Sequence, residues 1–134
     1  MPKHIVIDVR RLGDFGIGTY IRNLVHSLAR LDKENRYTLV ALPRDAAELA
    51  ALGTNFHIAE YARTDTDVLQ NAAFPFFLRR LYPDLVHIPL NSVPYWLQRP
   101  YVVTIHDMSS LLYPARGEVR GAMHQERSAA DTAL

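Results

Sequence analysis

The hydrophobic positions of this chain change period several times, and each change marks an element. Residues 4–9 place Ile5, Val6, Ile7 and Val9 together with one charge, Asp8, toward the far end. Such a run predicts a strand covered on both faces, as in a parallel sheet. From residue 19 the apolar positions Tyr20, Ile21, Leu24, Val25, Leu28 and Leu31 recur at helical spacing, with Arg22, Asn23, His26, Ser27 and Arg30 on the opposite side. That period predicts an amphipathic helix. Between the two, residues 10–18 hold three of the six glycines and read as a loop. Residues 32–35 are a polar stop, and residues 37–41 resume strand character before Pro43, which completes a βαβ unit.

Farther along, the alanine-rich residues 45–52 predict a short helix capped by Asp45 and ended by Gly53, with residues 56–59 as a third strand. Residues 64–67 offer N-cap side chains for a helix reaching Tyr82. Its apolar stripe is Val68, Leu69, Phe74, Phe77, Leu78 and Leu81, and Pro75 is the expected kink. Residues 85–88 read as a buried strand ending at Pro89, and residues 101–105 as another ending at His106-Asp107. Strands alternating with helices, without hairpin signals, predict a doubly wound, mostly parallel, Rossmann-like α/β sheet flanked by helices. In such a sheet ligands bind beyond the carboxyl ends of the strands. Residues 1–114 form this domain, and residues 115–134 read as a helical or disordered tail.

Composition narrows the picture. The 134 residues are 49% hydrophobic and 22% charged, which fits one compact domain. Fifteen Lys+Arg stand against fourteen Asp+Glu, evenly along the chain, so no basic arm or acidic tail marks a nucleic-acid partner. Without cysteine, disulfides, thiolate catalysis and cysteine-based zinc sites are excluded. The apolar start, residues 5–7, is too short for a signal peptide. The uncharged run 85–98 is broken by Pro89 and Pro94 and too short to span a bilayer. A cytoplasmic chain with no transmembrane segment is expected.

The segment Gly13-Asp14-Phe15-Gly16-Ile17-Gly18-Thr19 leads from a strand tip to a helix N-terminus, where unpaired N–H groups and the helix dipole favour an anion. It either cradles a phosphate or merely turns the chain. Its glycine spacing is not G-x-G-x-x-G, and Leu42-Pro43-Arg44 at the second strand tip supplies no acidic ribose partner, which argues against a nicotinamide cofactor. His106 follows a buried strand at the sheet edge, as an acid–base group or a hydrogen-bonded structural histidine. His87, mid-strand, reads as a core histidine. Asp8 and Arg10 either order the glycine segment or touch a ligand, with the internal role favoured. Tyr95 and Trp96 either stack on a sugar or apolar acceptor or pack beneath their loop, and Asn91 and Asp107 complete the cleft candidates. His4, His26, His57 and His124 lack paired spacing, so no metal is expected.

Taken in order, Ile7-Asp8-Val9-Arg10, the segment Gly13 to Gly18 with Thr19-Tyr20, Asp84-Leu85-Val86-His87 and Val102-Val103-Thr104-Ile105-His106-Asp107 resemble the N-terminal half of the family 4 (group 1) glycosyltransferases. The resemblance covers residues 3–114. It implies one half of a GT-B fold and metal-independent, retaining transfer from a nucleotide-sugar donor, a substrate rather than a cofactor, to an acceptor received by this domain. It further implies that Gly13, Gly16, Ile17, Gly18 and Thr19 face the donor phosphates or sugar, with His106 as the catalytic histidine. The family's donor-binding domain, with its Lys/Arg pair and paired glutamates, has no counterpart here, so the sequence resembles a truncated enzyme. A one-sided cleft cannot surround a developing charge, so turnover by this chain alone is expected to be very slow. An uncovered partner face would favour self-association. The rival reading is a non-catalytic interaction module or degenerate half-enzyme. Attachment to the inner membrane face is common in the family, but no basic amphipathic helix supports it here.

Overall fold

A computed structural model describes residues 1–63, 68–90, 93–98 and 100–106, with the backbone alone at 68–71. The order of elements is β1 (His4–Asp8), α1 (Phe15–Leu31), β2 (Arg36–Ala41), a 3-10 turn (Pro43–Asp45), α2 (Ala46–Leu49), β3 (Phe56–Glu60), α3 (Val68–Arg80), β4 (Leu85–Ile88) and β5 (Tyr101–Val103). The five strands form one sheet in the order β3-β2-β1-β4-β5, and every neighbouring pair is parallel. The chain therefore winds outward from β1 to β3, then returns through α3 to β4 and β5 on the other side. That reversal creates a topological switch point between β1 and β4, where α/β sheets open a crevice beyond the strand ends.

Strand alternation builds a core on each face. Ile7 and Leu39 join Ile21 and Val25 of α1 and Leu49 of α2 in one cluster. Val6, Val40, Val86 and Ile88 point the other way and join Phe74 and Leu78 of α3. Each of these large side chains, wholly removed from water, contributes about 1.5–3 kcal/mol relative to an exposed state. The sheet is thus covered on both sides, which explains why β1 and β2 read as nearly unbroken apolar runs.

Several boundaries differ from the sequence reading. Helix α1 starts at Phe15, so Gly16, Ile17, Gly18 and Thr19 belong to its first turns and not to a loop. The segment 45–52 gives only a four-residue α2, and Asp45 makes no side-chain capping bond. Helix α3 runs on past Pro75, which is buried within it. β5 ends at Val103, two residues short of the expected strand. The N-cap candidates of α3 at 64–67 and the tail at 115–134 lie outside the described residues.

Two polar clusters anchor the amino edge of the sheet. Asp32 closes α1 through its N–H on the Leu28 carbonyl. Its carboxylate accepts bonds from the Glu34 and Asn35 N–H groups, the Asn35 side chain and the Tyr37 hydroxyl, which hold it well below the usual carboxylate range, the Tyr37 bond first. His4, almost fully buried, sits between the Tyr82 carbonyl at 3.2 Å and Thr38 Oγ1 at 2.8 Å. A carbonyl only accepts, so Nδ1–H donates to Tyr82, and in the neutral ring Nε2 accepts the Thr38 hydroxyl. Burial lowers the pKa of His4, consistent with that neutral form.

Candidate functional site

The carboxyl edge of the sheet carries two separate polar constellations, one on each face. The first grows from Asp8, the last residue of β1, on the side of α3. Arg10 turns back over it: Nε donates to Asp8 Oδ1 at 2.9 Å and Nη2 to Oδ2 at 2.8 Å, a two-pronged ion pair whose side chains are 4% and 1% exposed. The remaining prong, Nη1, donates to the Arg63 carbonyl at 3.0 Å. The guanidinium plane lies 3.9 Å from the Phe74 ring centre and 5.5 Å from that of Tyr61, a desolvated cation–π arrangement. The structure therefore places Asp8 and Arg10 inside the fold, tying the β1–α1 turn to α3. The Arg10 donors engage internal acceptors, in line with the internal role favoured for this pair.

The second constellation lies on the face of α1. His87 of β4 projects to this side, as does Ile7 with which it is paired across the sheet. Thr104 and His106 follow Val102 at alternate positions beyond β5, and Val102 pairs with His87. These side chains meet Tyr20 of α1. The His87 Nε2 lies 2.8 Å from Thr104 Oγ1, and the Tyr20 hydroxyl lies 3.0 Å from the same oxygen. The Tyr20 ring packs edge-on against the His106 imidazole, with centroids 4.8 Å apart. His106 Nε2 donates to the Pro89 carbonyl, at 3.0 Å, just past the end of β4. That bond fixes Nε2–H and makes Nδ1 the basic nitrogen of the neutral ring. His106 is exposed at this edge. Burial lowers the pKa of the half-buried His87, and the nearby His106 adds to the effect.

The glycines divide by role. A methyl group at Gly18 would stand 2.2 Å from the Leu12 carbonyl oxygen, so glycine there is required by the close approach of α1 to its own entry turn. At Gly16 an added Cβ meets nothing within 4 Å, and at Gly13 only the end of the Arg44 side chain, at 3.5 Å. None of the three adopts positive φ, so left-handed turning explains none of them. Gly16 therefore exposes backbone at the start of α1 without an internal packing reason. Ile17 is half-buried against both cores. Thr19 turns its hydroxyl back to the Phe15 carbonyl at 3.0 Å, a helix-internal bond. At the mouth of α1, Asp14 pairs with Arg11 at 2.8 Å and does not cap the helix.

Tyr95 and Trp96 are 74% and 75% exposed, their rings 6.3 Å apart, and Trp96 holds φ at 61°. They are surface aromatics, not packing beneath the loop. Asn91 and Asp107 lie outside the described residues. Sequence reasoning missed Tyr20 and Thr104: Tyr20 was absorbed into the apolar stripe of α1, and Thr104 into a strand. A signal did exist, since Val102, Thr104 and His106 alternate and would share one face of an extended segment. His87, read as a core histidine, is half-buried and hydrogen-bonded within this group. Among the described residues no group of three His, Cys, Asp or Glu could hold a metal ion, and no helix is long and apolar enough to cross a membrane.

Fold and site together define a Rossmann-like α/β protein with a cluster of His87, Thr104, Tyr20 and His106 at the carboxyl edge of a parallel sheet. No family model matches the chain, and no solved structure matches it. Among curated proteins, abscisic acid 8'-hydroxylase 4 of Arabidopsis thaliana is 31% identical over 58 residues, which is 43% of this chain and 12% of that protein. The chain thus spans a small fraction of that relative's length.

Proposed function

We propose that this chain is the acceptor-side, N-terminal domain of a retaining glycosyltransferase of family 4 type, moving a sugar from a nucleotide-sugar donor to an acceptor. The observation that supports it best is the meeting of two distant segments, the start of α1 and the stretch after β5, through the 4.8 Å contact of Tyr20 with His106. Those are two of the four segments whose residues carry the resemblance, and they converge at the edge where such sheets bind ligands. In this reading the first turn of α1, with backbone exposed at Gly16, faces the donor phosphates. His106 faces the transferred sugar, its basic Nδ1 set by the bond from Nε2 to Pro89. The internal bonds of Asp8, Arg10 and Gly18 hold the α1 entry in place. Donor binding is completed by a second domain or a second chain, so catalysis by these residues alone is very slow.

The test is a calorimetric titration of the chain with UDP-, GDP- and ADP-sugars, each mixture checked by mass spectrometry for donor hydrolysis. Weak binding that His106→Ala abolishes would support the reading. Binding untouched by His106→Ala would remove His106 from the site.

A second reading, a non-catalytic module that associates with itself or another chain, is favoured by the exposure of Phe15 (98%), Ile105 (62%) and Val102 (45%) near the same edge. Apolar surface of that kind marks interaction faces when it is contiguous. Sedimentation at rising concentration tests it, and a strictly monomeric profile rejects it.

A further inference from the structure

Tyr20 sits on the core-facing stripe of α1, yet its two ends do different things. Its ring lies edge-on against His106, at 77° between planes. Its hydroxyl leaves the apolar stripe and reaches Thr104 Oγ1, which in turn meets His87 Nε2. One side chain therefore touches the exposed histidine with its carbon surface and is tethered to a second, half-buried histidine through a single hydroxyl.

We infer that Tyr20 is the positioning residue for His106, and that Thr104 and His87 form the strut that keeps Tyr20 in place. The inference rests on the reading of His106 as the group that faces the sugar, and it deepens that reading. His106 stands beyond the end of β5, and Thr104 N–H donates to the Ile88 carbonyl two residues before it. At the imidazole the Pro89 carbonyl accepts from Nε2–H in the ring plane, and the Tyr20 ring stands against rotation out of that plane. An edge-to-face pair of this kind weights one orientation roughly two- to tenfold.

The strut has only limited choices. Thr104 has one proton to give and lone pairs to accept with. With His87 neutral, Tyr20 donates to Thr104 and Thr104 to His87, or His87 Nε2–H donates to Thr104 and Thr104 to Tyr20, or Thr104 accepts from both. All three arrangements fail when the Thr104 hydroxyl is lost. Tyr20 and His87 are then coupled through the shared Thr104 hydroxyl, as members of one hydrogen-bond network.

The test uses the whole chain and histidine side-chain NMR. Tyr20→Leu should move the His106 imidazole proton shifts toward those of an unstructured histidine, because the ring current is gone, while the amide spectrum of β1 to β4 is unchanged. Tyr20→Phe, which keeps the ring, should preserve most of the His106 shift but change the His87 ring nitrogen shifts. In a Thr104→Val background the same Tyr20→Phe change should leave His87 unmoved. An unchanged His106 spectrum in Tyr20→Leu would overturn the positioning role. An effect of Tyr20→Phe on His87 that persists without the Thr104 hydroxyl would overturn the strut. UDP-sugar added to the same samples separates this from the functional reading: a wild-type His106 signal that ignores UDP-, GDP- and ADP-sugars counts against the donor site but leaves the positioning geometry standing. If the sugar moves the wild-type His106 signal, Tyr20→Leu should weaken that response at least twofold. An equal response would overturn the role of Tyr20 in presenting His106.

Discussion

The two polar constellations at the carboxyl edge of the sheet are built from similar materials to opposite ends. On the α3 face, Asp8 and Arg10 form a closed unit: one charge cancels the other, every prong of the guanidinium has an acceptor, and aromatic rings seal it. On the α1 face, His87, Thr104, Tyr20 and His106 form a graded unit that runs from a half-buried histidine to an exposed one. The first serves the fold, because a buried ion pair that is fully engaged has nothing to offer a ligand. The second keeps a titratable group at the surface with its orientation determined, which is what a binding or catalytic group requires.

The comparison breaks most easily on the charged side. Asp8→Asn leaves the Arg10 cation buried against Phe74 with half of its partners weakened, and removing one member of a buried pair costs about 3–5 kcal/mol. Chemical denaturation should show that loss. Thr104→Val, which deletes the shared hydroxyl of the other unit, should cost only about 1 kcal/mol. Equal losses at the two positions would erase the distinction between the closed cluster and the graded one.

The glycines sharpen the same contrast. Gly18→Ala drives a methyl group into the Leu12 carbonyl, and the entry turn must shift. Overpacking of this kind costs about 1–3 kcal/mol, visible as a lower melting temperature without any ligand present. Gly16→Ala meets no atom and lies in helical backbone, so it should stabilise the free chain by about 0.4–1 kcal/mol. If the start of α1 receives donor phosphates, the same substitution should weaken nucleotide-sugar binding while the melting temperature rises. A loss of stability at Gly16 would show that its backbone is constrained by something other than space.

The layout of the sheet was legible because its signals are local. The apolar runs around Ile7, Leu39 and Val86 and the helical stripe through Ile21 and Val25 are properties of adjacent residues, and burial on both faces follows from them. The boundaries were less legible: glycine spacing suggested a loop through Gly18, but the peptide groups of residues 15–18 already satisfy helical geometry, with Gly18 N–H on the Asp14 carbonyl. The internal role favoured for Asp8 and Arg10 was readable from their place at a strand end, whereas their aromatic lid was not, because Phe74 comes from a distant helix. His106 was visible as a polar residue after a buried strand. Its neighbours Tyr20 and Thr104 were hidden, since a tyrosine in an apolar stripe and a threonine beside a strand both look like packing until the third dimension brings their hydroxyls together.

The smallest effect expected is a pH dependence, and it discriminates between histidines on the two edges of the sheet. Both His4 and His87 have pKa values lowered from 6.5, in each case first by burial. A histidine whose folded pKa lies below its unfolded one binds fewer protons when folded, so unfolding takes up protons in the interval between the two values. Their contribution to stability is therefore complete above about pH 6.5 and is lost as the pH falls through the lowered folded values. The melting temperature should hold level between pH 8 and 7 and decline on acidification below about pH 6.5. His87→Gln should flatten part of that decline and leave the part due to His4, whose ring is enclosed by Tyr82 and Thr38 at the opposite edge. A decline of unchanged slope in His87→Gln would mean that the α1-face cluster carries no proton linkage to folding, and that His87 holds Thr104 without discriminating between its own charge states.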